Sequence, residues 1–452
     1  MITRHILTLP ESGRRVHYRR CGRGPALVMV HQSPRSSAEL QSLMERWGQH
    51  FTCIAPDTPG FGQSDPLPHA GREPDIDDFA DAFAAFVEAL GLTDTAVYGV
   101  HSGAVIAVAA LKRHPRLFRC LAANGYAIWT REEMVVFGEA YLPEFHPSPY
   151  GEHLTWLWNR ILEQTWFFPW FDIRDETRLS VAHADPVKVD AVVRDFLDAG
   201  NAYRDGYGAV LRAPRDIPSA DTVTPPVFIS ASSGDPLLPH IDRLGDIPGN
   251  WRARKCAEAG EQEQANLAFL REHGDSAPCP ALKEDSTEGW LPLSNGLIHW
   301  HGKRGADRMI LHEPASELAA LPDEDLAIDV PGHGLSSPLA DFDHGDLAAI
   351  IEASAEQLGA ERIRYPRPPA GDPAMLYPDL TPDRFGAYLS KAWSAARAEA
   401  MFEPWYEANP LNAIAVNTDA LEPERIASRT RARLRAGNHA RPYHAILQDT
   451  GA

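Results

Sequence analysis

The residues whose types and spacing best suit them for chemistry are Gly99-Val100-His101-Ser102-Gly103. A strand-like run ends just before them and a helix-like run follows. Glycines at this spacing are typical of a sharp turn that exposes one side chain as a nucleophile or base. Placing His101 at the apex keeps both glycines at the crowded positions, whereas placing Ser102 there puts Val100 at one of them. The spacing favours His101 as the apex residue, and Ser102 is the alternative.

An imidazole at the start of a helix feels the positive end of the helix dipole. We therefore expect the pKa of His101 to lie below its usual value of about 6.5, which leaves a neutral ring. Asp235 follows a second strand-like run, Val227–Ala231, and is the candidate for holding one ring nitrogen while the other meets water or substrate. A turn-forming role for Asp235, and no catalytic role for His101, are the alternatives.

Three further motifs surround this turn. His31-Gln32-Ser33-Pro34 follows an apolar run, residues 57–64 read D-T-P-G-F-G-Q-S, and Arg113-His114-Pro115 closes the helix after the turn. Together they make residues 15 to about 270 resemble the α/β-hydrolase superfamily, including its dehalogenase-like and esterase-like branches. The resemblance implies an α/β fold with a doubly wound, mostly parallel sheet and a helical cap. It also implies an oxyanion site in which the Ser102 N–H is joined by the N–H of Gln32 or Ser33.

The sequence departs from that superfamily at the usual histidine base. The base is expected after the strand-like run Asn250–Cys256, but Glu261 stands there instead. His240 comes too early and His273 too late, although either could fold back. An ordinary Ser-His-Asp triad is therefore not visible, and a base located on the turn itself would compensate for its absence.

Three more residues are candidates for substrate contact. His31 ends a strand in the oxyanion loop, where it either orders that loop or touches ligand. Arg35 could pair a substrate carboxylate or be a solvated loop charge. Trp129 opens an aromatic-rich segment that could line a cavity, although rings of this kind mostly form the core of their own segment.

Strand and helix patterns alternate up to residue 125 and again from residue 223, which predicts a parallel sheet. One clear helix pattern covers Asp77–Leu90, with Gly91 as its stop. We assign residues 1–125 and 223–285 to the hydrolase-like core and 126–222 to the cap.

The chain then repeats its own pattern in an incomplete form. Asp329-Val330-Pro331-Gly332 echoes Asp57-Thr58-Pro59-Gly60, and Trp158 and Trp170 recur as Trp393 and Trp405 at one constant spacing. We assign 286–375 to a degenerate second core and 376–452 to a second cap-like helical segment. This copy is expected to lack the elbow strand, its helix, the strand after it and the strand that bears the acid. It would then be a structural partner, with a pseudo-dimer as one arrangement.

Composition narrows the choice of partners. The net charge of −19 argues against nucleic acid and anionic membranes, which attract basic patches. Five scattered cysteines indicate neither a disulfide framework nor a metal site. We expect a cytoplasmic protein with a small-molecule substrate, no cofactor, no metal, and a homodimer as one possible state.

Three functions fit these observations. The first is a cofactor-independent hydrolase of a small, partly apolar ester, lactone or ketone-type substrate, with His101 as base or nucleophile. The second uses the same residues for proton transfer without water, as a lyase, decarboxylase or isomerase. The third is a binding protein without catalysis, suggested by the missing base and the decayed second copy.

Overall fold

A computed structural model describes residues 1–69, 71–275, 279–280, 287–293, 296–320, 325–339 and 344–449. The chain forms two compact units. The first comprises Met1–Phe145, Arg160–Ala184 and Ala191–Lys283, and the second comprises His146–Asn159, Asp185–Asp190 and Glu284–Ala452. Among the helices described, none is long and apolar enough to cross a membrane.

The first unit contains an eight-stranded sheet. Its strands are β1 (Thr3–Thr8), β2 (Arg15–Gly22), β3 (Ala26–Val30), β4 (Thr52–Pro56), β5 (Thr95–Val100), β6 (Phe118–Asn124), β7 (Val227–Ser232) and β8 (Trp251–Cys256). The order across the sheet is β1-β2-β4-β3-β5-β6-β7-β8. Only the pairings of β2 are antiparallel. This is the doubly wound, mostly parallel α/β-hydrolase sheet that the sequence predicts.

Helices cover both faces of this sheet. They are α1 (Gln41–Trp47), α2 (Ile76–Ala89), α3 (Ser102–Arg113) and α8 (Ala259–His273). Alternate side chains of β3 point to opposite faces, so Val28 joins the core beneath α2 and α3, and Met29 joins the core beneath α1 and α8. Every residue of β3 is buried, as expected of a parallel strand covered on both sides.

The predicted helix over Asp77–Leu90 is confirmed as α2. Asp75 caps its first turn by accepting the N–H groups of Asp77 and Asp78. Gly91 follows at φ 70°, a left-handed conformation that suits glycine after a helix.

Between β6 and β7 lie four helices: α4 (Arg131–Ala140), α5 (Glu152–Trp166), α6 (Pro186–Ala199) and α7 (Tyr203–Leu211). Parts of α5 and α6 belong to the second unit. In the first unit, Phe137 makes edge-to-face contacts with Trp129, Tyr141 and Phe168. These rings form an apolar cluster of the cap segment.

The second unit contains a five-stranded sheet. Its strands are β9 (Glu288–Leu293), β10 (Gly296–His301), β11 (Arg308–Leu311), β12 (Ala327–Ile328) and β13 (Arg362–Arg364). Their order, β9-β10-β12-β11-β13, and their parallel or antiparallel senses match those of β1 to β5. The expectation that the elbow strand is missing here is wrong, because β13 pairs with β11 as β5 pairs with β3. Three residues are too few for a clear sequence pattern.

Besides the parts of α5 and α6, the second unit contains five helices in the described ranges. They are α9 (His344–Leu358), α10 (Pro373–Leu376), α11 (Ala387–Ala398), α12 (Pro423–Ala436) and α13 (Ala440–Asp449). Two tryptophans pack reciprocally within this unit. A Cβ on Gly386 would lie 2.5 Å from Trp158, and one on Gly151 would lie 2.8 Å from Trp393. Each indole thus packs over the glycine that precedes the other's helix, as in a twofold-symmetric interface.

Candidate active site

The strand-to-helix turn is built around His101. This residue stands between the end of β5 and the start of α3 with φ 48° and ψ −111°. Such a conformation is uncommon for a residue other than glycine and is found where function holds a strained backbone. A Cβ on Gly99 would lie 2.6 Å from the Gly103 carbonyl oxygen, and one on Gly103 would lie 2.3 Å from that of Val30. Both glycines are therefore required sterically, and His101 rather than Ser102 has the apex conformation.

Both ring nitrogens of His101 have acceptors. Nδ1 lies 2.7 Å from Oε1 of Gln32, and Nε2 lies 3.1 Å from Oδ2 of Asp235. The amide of Gln32 is fixed by Glu39, which accepts both its backbone N–H at 2.9 Å and its side-chain NH₂ at 3.1 Å. Gln32 must then present its oxygen to Nδ1, while the carboxylate of Asp235 accepts from Nε2. With an acceptor at each nitrogen, this arrangement favours the ring that carries a proton on both.

The electrostatics of the site favour the protonated form of the ring. Burial opposes the charged form of His101, but the carboxylates of Asp235 and Glu39 outweigh it and raise its pKa above the usual value. Burial likewise opposes ionisation of Asp235, yet His101 lowers the pKa of that carboxyl overall. The expected lowering of the His101 pKa by the helix end is therefore wrong, because a carboxylate in direct contact exceeds the dipole effect.

Ser102 has a different role from that of an exposed nucleophile. Its Oγ accepts the backbone N–H of Ser33 at 2.6 Å and donates to Oγ of Ser33 at 3.1 Å. The backbone N–H of Gln32 is given to Glu39. Neither loop N–H is thus open as the second oxyanion donor expected from the sequence, and the N–H of Ser102 remains as a donor at the start of α3.

His31 and Arg35 hold the loop in place. The buried ring of His31 lies 2.9 Å from the Gln32 carbonyl oxygen through Nδ1 and accepts the Thr58 N–H at 2.9 Å through Nε2. Arg35 donates to Asp195 at 2.7 Å. The proposed contact of Arg35 with a substrate carboxylate is not supported, because its guanidinium already pairs a carboxylate of α6.

A cavity of about 200 Å³ opens over His101. Its apolar walls come mainly from the cap, and the described residues that line it include Gln32 but not Asp235. The lining residues are Gln32, Ser33, His101, Ser102, Ala127, Trp129, Tyr141, Gln164, Phe168, Leu179, Tyr207, Val210, Leu211, Pro236 and Leu237. Trp129 therefore lies where the sequence places it, and its indole N–H donates to the Val210 carbonyl at 3.1 Å.

Among the site residues that sequence reasoning misses are Gln164, Tyr207 and Gly125. Gln164 and Tyr207 reach the cavity from cap helices, and nothing in their local pattern marks them. Gly125 follows β6 at φ 66°, and a Cβ there would lie 2.3 Å from Cδ2 of His101. A glycine just after a buried strand is a weak signal of such a close approach. Here it leaves room for the ring beside Asp235.

None of the other candidate bases lines this cavity in the described part of the chain. Glu261 accepts the Ala257 N–H at 2.7 Å. His240 accepts the Ile128 N–H at 2.9 Å through Nδ1, and burial lowers its pKa to about 4. His273 ends α8. The described residues also bring together no three His, Cys, Asp or Glu side chains suited to a metal ion.

Comparison with known proteins places the chain in a family. The model of the alpha/beta hydrolase fold matches residues 25–256, so the chain belongs to that family. It is 28% identical over 148 residues to a cis-3-alkyl-4-alkyloxetan-2-one decarboxylase of Shewanella oneidensis, covering 32% of this chain and 42% of that protein. It is 31% identical over 118 residues to a 2-(acetamidomethylene)succinate hydrolase of Mesorhizobium japonicum, covering 26% and 41%.

The chain therefore matches less than half the length of these curated relatives. Among solved structures, an N-acyl homoserine lactonase is similar at 22% identity with a TM-score of 0.43. The match covers 63% of this chain and 100% of that one.

Proposed function

We propose that this protein hydrolyses a small, partly apolar compound with an ester, lactone or ketone-type carbonyl, using His101 as its proton-exchanging residue. The observation that carries the proposal is the placement of His101. It stands at the strained apex, is held by Asp235 through Nε2, and opens to an apolar cavity.

The two partners of the ring suggest how it works. Gln32 lines the cavity and caps Nδ1, whereas Asp235 holds Nε2 from outside the lining. Water bound at Nδ1 in place of the Gln32 oxygen could attack the substrate carbonyl while neutral His101 accepts its proton. Asp235 stabilises the imidazolium that forms. The same Nδ1 proton then passes to the leaving alkoxide, so that ester and water become acid and alcohol.

A nucleophilic version uses the same nitrogen. Neutral Nδ1 would attack the carbonyl and expel the alkoxide, and water would then cleave the resulting acyl-imidazole. The N–H of Ser102 would serve as the backbone donor to the developing oxyanion, since those of Gln32 and Ser33 already have acceptors.

A second candidate is proton transfer without water, as in a lyase, decarboxylase or isomerase. The two acceptors at the ring of His101 favour it, because they stabilise an imidazolium, which donates rather than accepts a proton. The oxetanone decarboxylase among the relatives makes this reaction class worth testing.

Isotope and pH measurements separate these candidates. We would screen small aliphatic esters, β-lactones and an acetamidomethylene succinate, and follow the best substrate in H₂¹⁸O. Hydrolysis places one ¹⁸O in the acid product, and a mass increase of His101 after acid quench would indicate the nucleophilic route. Unlabelled product would rule out hydrolysis. Binding without turnover of any compound would favour a binding protein.

The pH profile shows whether His101 accepts or donates the proton. A base role requires neutral His101, whose pKa is raised, so kcat/KM should rise as pH increases through a value above 6.5. Asp235→Asn removes the main raising interaction and should move this rise to lower pH. A rate that falls over the same pH range would instead indicate His101 acting as an acid.

We also propose that the second unit is a truncated duplicate of the first without a reaction site of its own. The matching strand order of the two sheets supports this origin. The described residues after β13 contain no helix that begins directly at its end, as α3 does after β5.

A further inference from the structure

Arg160 is a charged residue enclosed by the cap segment of the first unit. It is 1% exposed, and its guanidinium carbon lies 5.1 Å from the ring centre of Trp170, 5.2 Å from that of Phe196 and 5.9 Å from that of Tyr203. Nε and Nη2 have no hydrogen-bond partner among the described residues. No described carboxylate pairs with it, so the buried charge is offset only in part, by the aromatic faces and by one hydrogen bond to a neutral amide.

The charge of Arg160 persists despite this setting. Burial lowers its pKa, with Tyr141, Tyr203 and Tyr207 acting in the other direction. A guanidinium stays protonated across the physiological range, so burial does not neutralise it. The cap therefore holds a fixed positive charge behind its cavity-facing residues.

Two residues that line the cavity, Gln164 and Tyr141, have hydrogen-bond donors available to a bound ligand. Nη1 of Arg160 donates to Oε1 of Gln164 at 2.8 Å, which leaves the NH₂ of Gln164 for the cavity. The hydroxyl of Tyr207 donates to that of Tyr141 at 3.1 Å, so the Tyr141 proton is free to donate in turn. Both tyrosines line the cavity with Gln164.

The second unit shows how the same helix position can neutralise a buried arginine. By the spacing that relates Trp158 to Trp393, Gln164 corresponds to Glu399. Glu399 forms an ion pair with Arg433, which is 3% exposed. The carboxylate thus neutralises a buried cation in the second unit, whereas in the first unit the amide of Gln164 accepts a hydrogen bond from Arg160 without neutralising its charge.

We propose that the cap end of the cavity is a carboxylate subsite, in which Gln164 and Tyr141 bind an anionic group of the substrate under the field of Arg160. The substrate is then an acyl compound with a carboxylate remote from its reacting carbonyl. The identity of the reacting carbonyl rests on the proposed function, while the subsite itself does not.

Gln164→Glu tests this subsite with little change of shape. The new carboxylate would pair Arg160, as Glu399 pairs Arg433, and would repel an anion. We would measure the affinity of hexanoate and hexanamide by calorimetry at pH 8. Wild type should bind hexanoate at least about tenfold more tightly, as expected for charge-assisted hydrogen bonds. Gln164→Glu should remove that preference.

Two variants serve as controls. Gln41→Glu makes the same charge change at an exposed site and should keep the preference. His101→Gln should also keep it, since the proposed anion contact lies on the cap. The proposal is overturned by no preference in wild type, by a preference that survives Gln164→Glu, or by one that disappears with His101→Gln. Because binding is measured without turnover, the subsite can stand even if the proposed reaction fails.

Discussion

The two sheets contain the same buried His–Asp pair. In the first unit Nδ1 of His17 lies 2.7 Å from Asp57, and in the second Nδ1 of His299 lies 2.8 Å from Asp329. Asp57 also accepts the backbone N–H groups of Ser37 and Gln63. Asp329 likewise accepts those of Leu318 and Leu335. These pairs join strands to the loops that follow them, and none of their residues lines the cavity over His101.

The two pairs differ in the group that contacts Nε2 of the imidazole. Nε2 of His17 accepts from Arg4 at 3.0 Å, whereas Nε2 of His299 lies 3.0 Å from the carboxylate of Glu288. Arg4 and Glu288 occupy matching positions on β1 and β9. Burial together with neighbouring arginines lowers the pKa of His17 to about 4, although Asp57 opposes this. Two carboxylates raise the pKa of His299 in spite of its burial.

The comparison teaches that a His–Asp contact defines neither a protonation state nor a reaction site. The group at the second ring nitrogen determines whether that nitrogen carries a proton. Only an imidazole that faces a cavity can meet a substrate. His101 and Asp235 form another such pair, in which Gln32 contacts the second ring nitrogen. In this pair the ring is 30% exposed and lines a cavity.

The largest expected effect distinguishes the His101–Asp235 pair from the two pairs His17–Asp57 and His299–Asp329. His101→Ala should lower kcat/KM by about 10²- to 10⁴-fold, the usual contribution of general acid–base catalysis, with little change in Tm. Steady-state kinetics and thermal unfolding on the same preparations check this.

Ser102→Ala is the matched variant for the neighbouring residue and should keep most of the activity. His17→Ala and His299→Ala should instead lower Tm, because each leaves a buried aspartate without its partner. If Ser102→Ala abolishes turnover while His101→Ala does not, the roles assigned to the two residues are reversed.

A smaller effect tests the space that His101 needs. Gly125→Ala should lower turnover about 10- to 100-fold, since its Cβ would displace the ring from Asp235. Gly13 has nearly the same φ, 67° against 66°, but open space around its Cβ position. Gly13→Ala should therefore cost only the backbone strain of about 1–2 kcal/mol and leave kcat/KM unchanged. Equal kinetic losses in the two variants would contradict the steric role of Gly125.

The smallest effect concerns the sheet pairs themselves. Arg4→Gln should raise the pKa of His17, and Glu288→Gln should lower that of His299. Titration of ¹³C-labelled histidine by NMR, with assignments from His→Asn variants, checks both directions. pKa shifts in the same direction in the two variants would contradict the opposite roles assigned to Arg4 and Glu288.

These pKa values also predict opposite pH effects on folding. The lowered pKa of His17 means that its contribution to stability is complete above about pH 6.5 and is lost as pH falls towards 4. The raised pKa of His299 gives a contribution that is complete below about pH 6.5 and is lost as pH rises through the folded value.

Much of the fold and part of the site are predictable from the sequence. The alternation of apolar runs predicts the parallel sheet, and the two glycines around His101 predict the turn. The role of Arg35 is not predictable, because its partner Asp195 lies on a helix far along the chain. The short strand β13 is missed for a simpler reason, since three residues with charged ends carry no apolar pattern.

The sequence by itself indicates the alternation of strands and helices, the turn, and His101 as the residue favoured at its apex. These follow from short-range rules: apolar periodicity decides what is buried, and the absence of a Cβ decides where backbones can touch. Only the tertiary structure decides that His101 has an acceptor at each ring nitrogen, that the Ser33 N–H donates to Ser102, and that no described carboxylate pairs with Arg160. Protonation and hydrogen bonding depend on the summed fields of groups from distant segments, which only folding brings together.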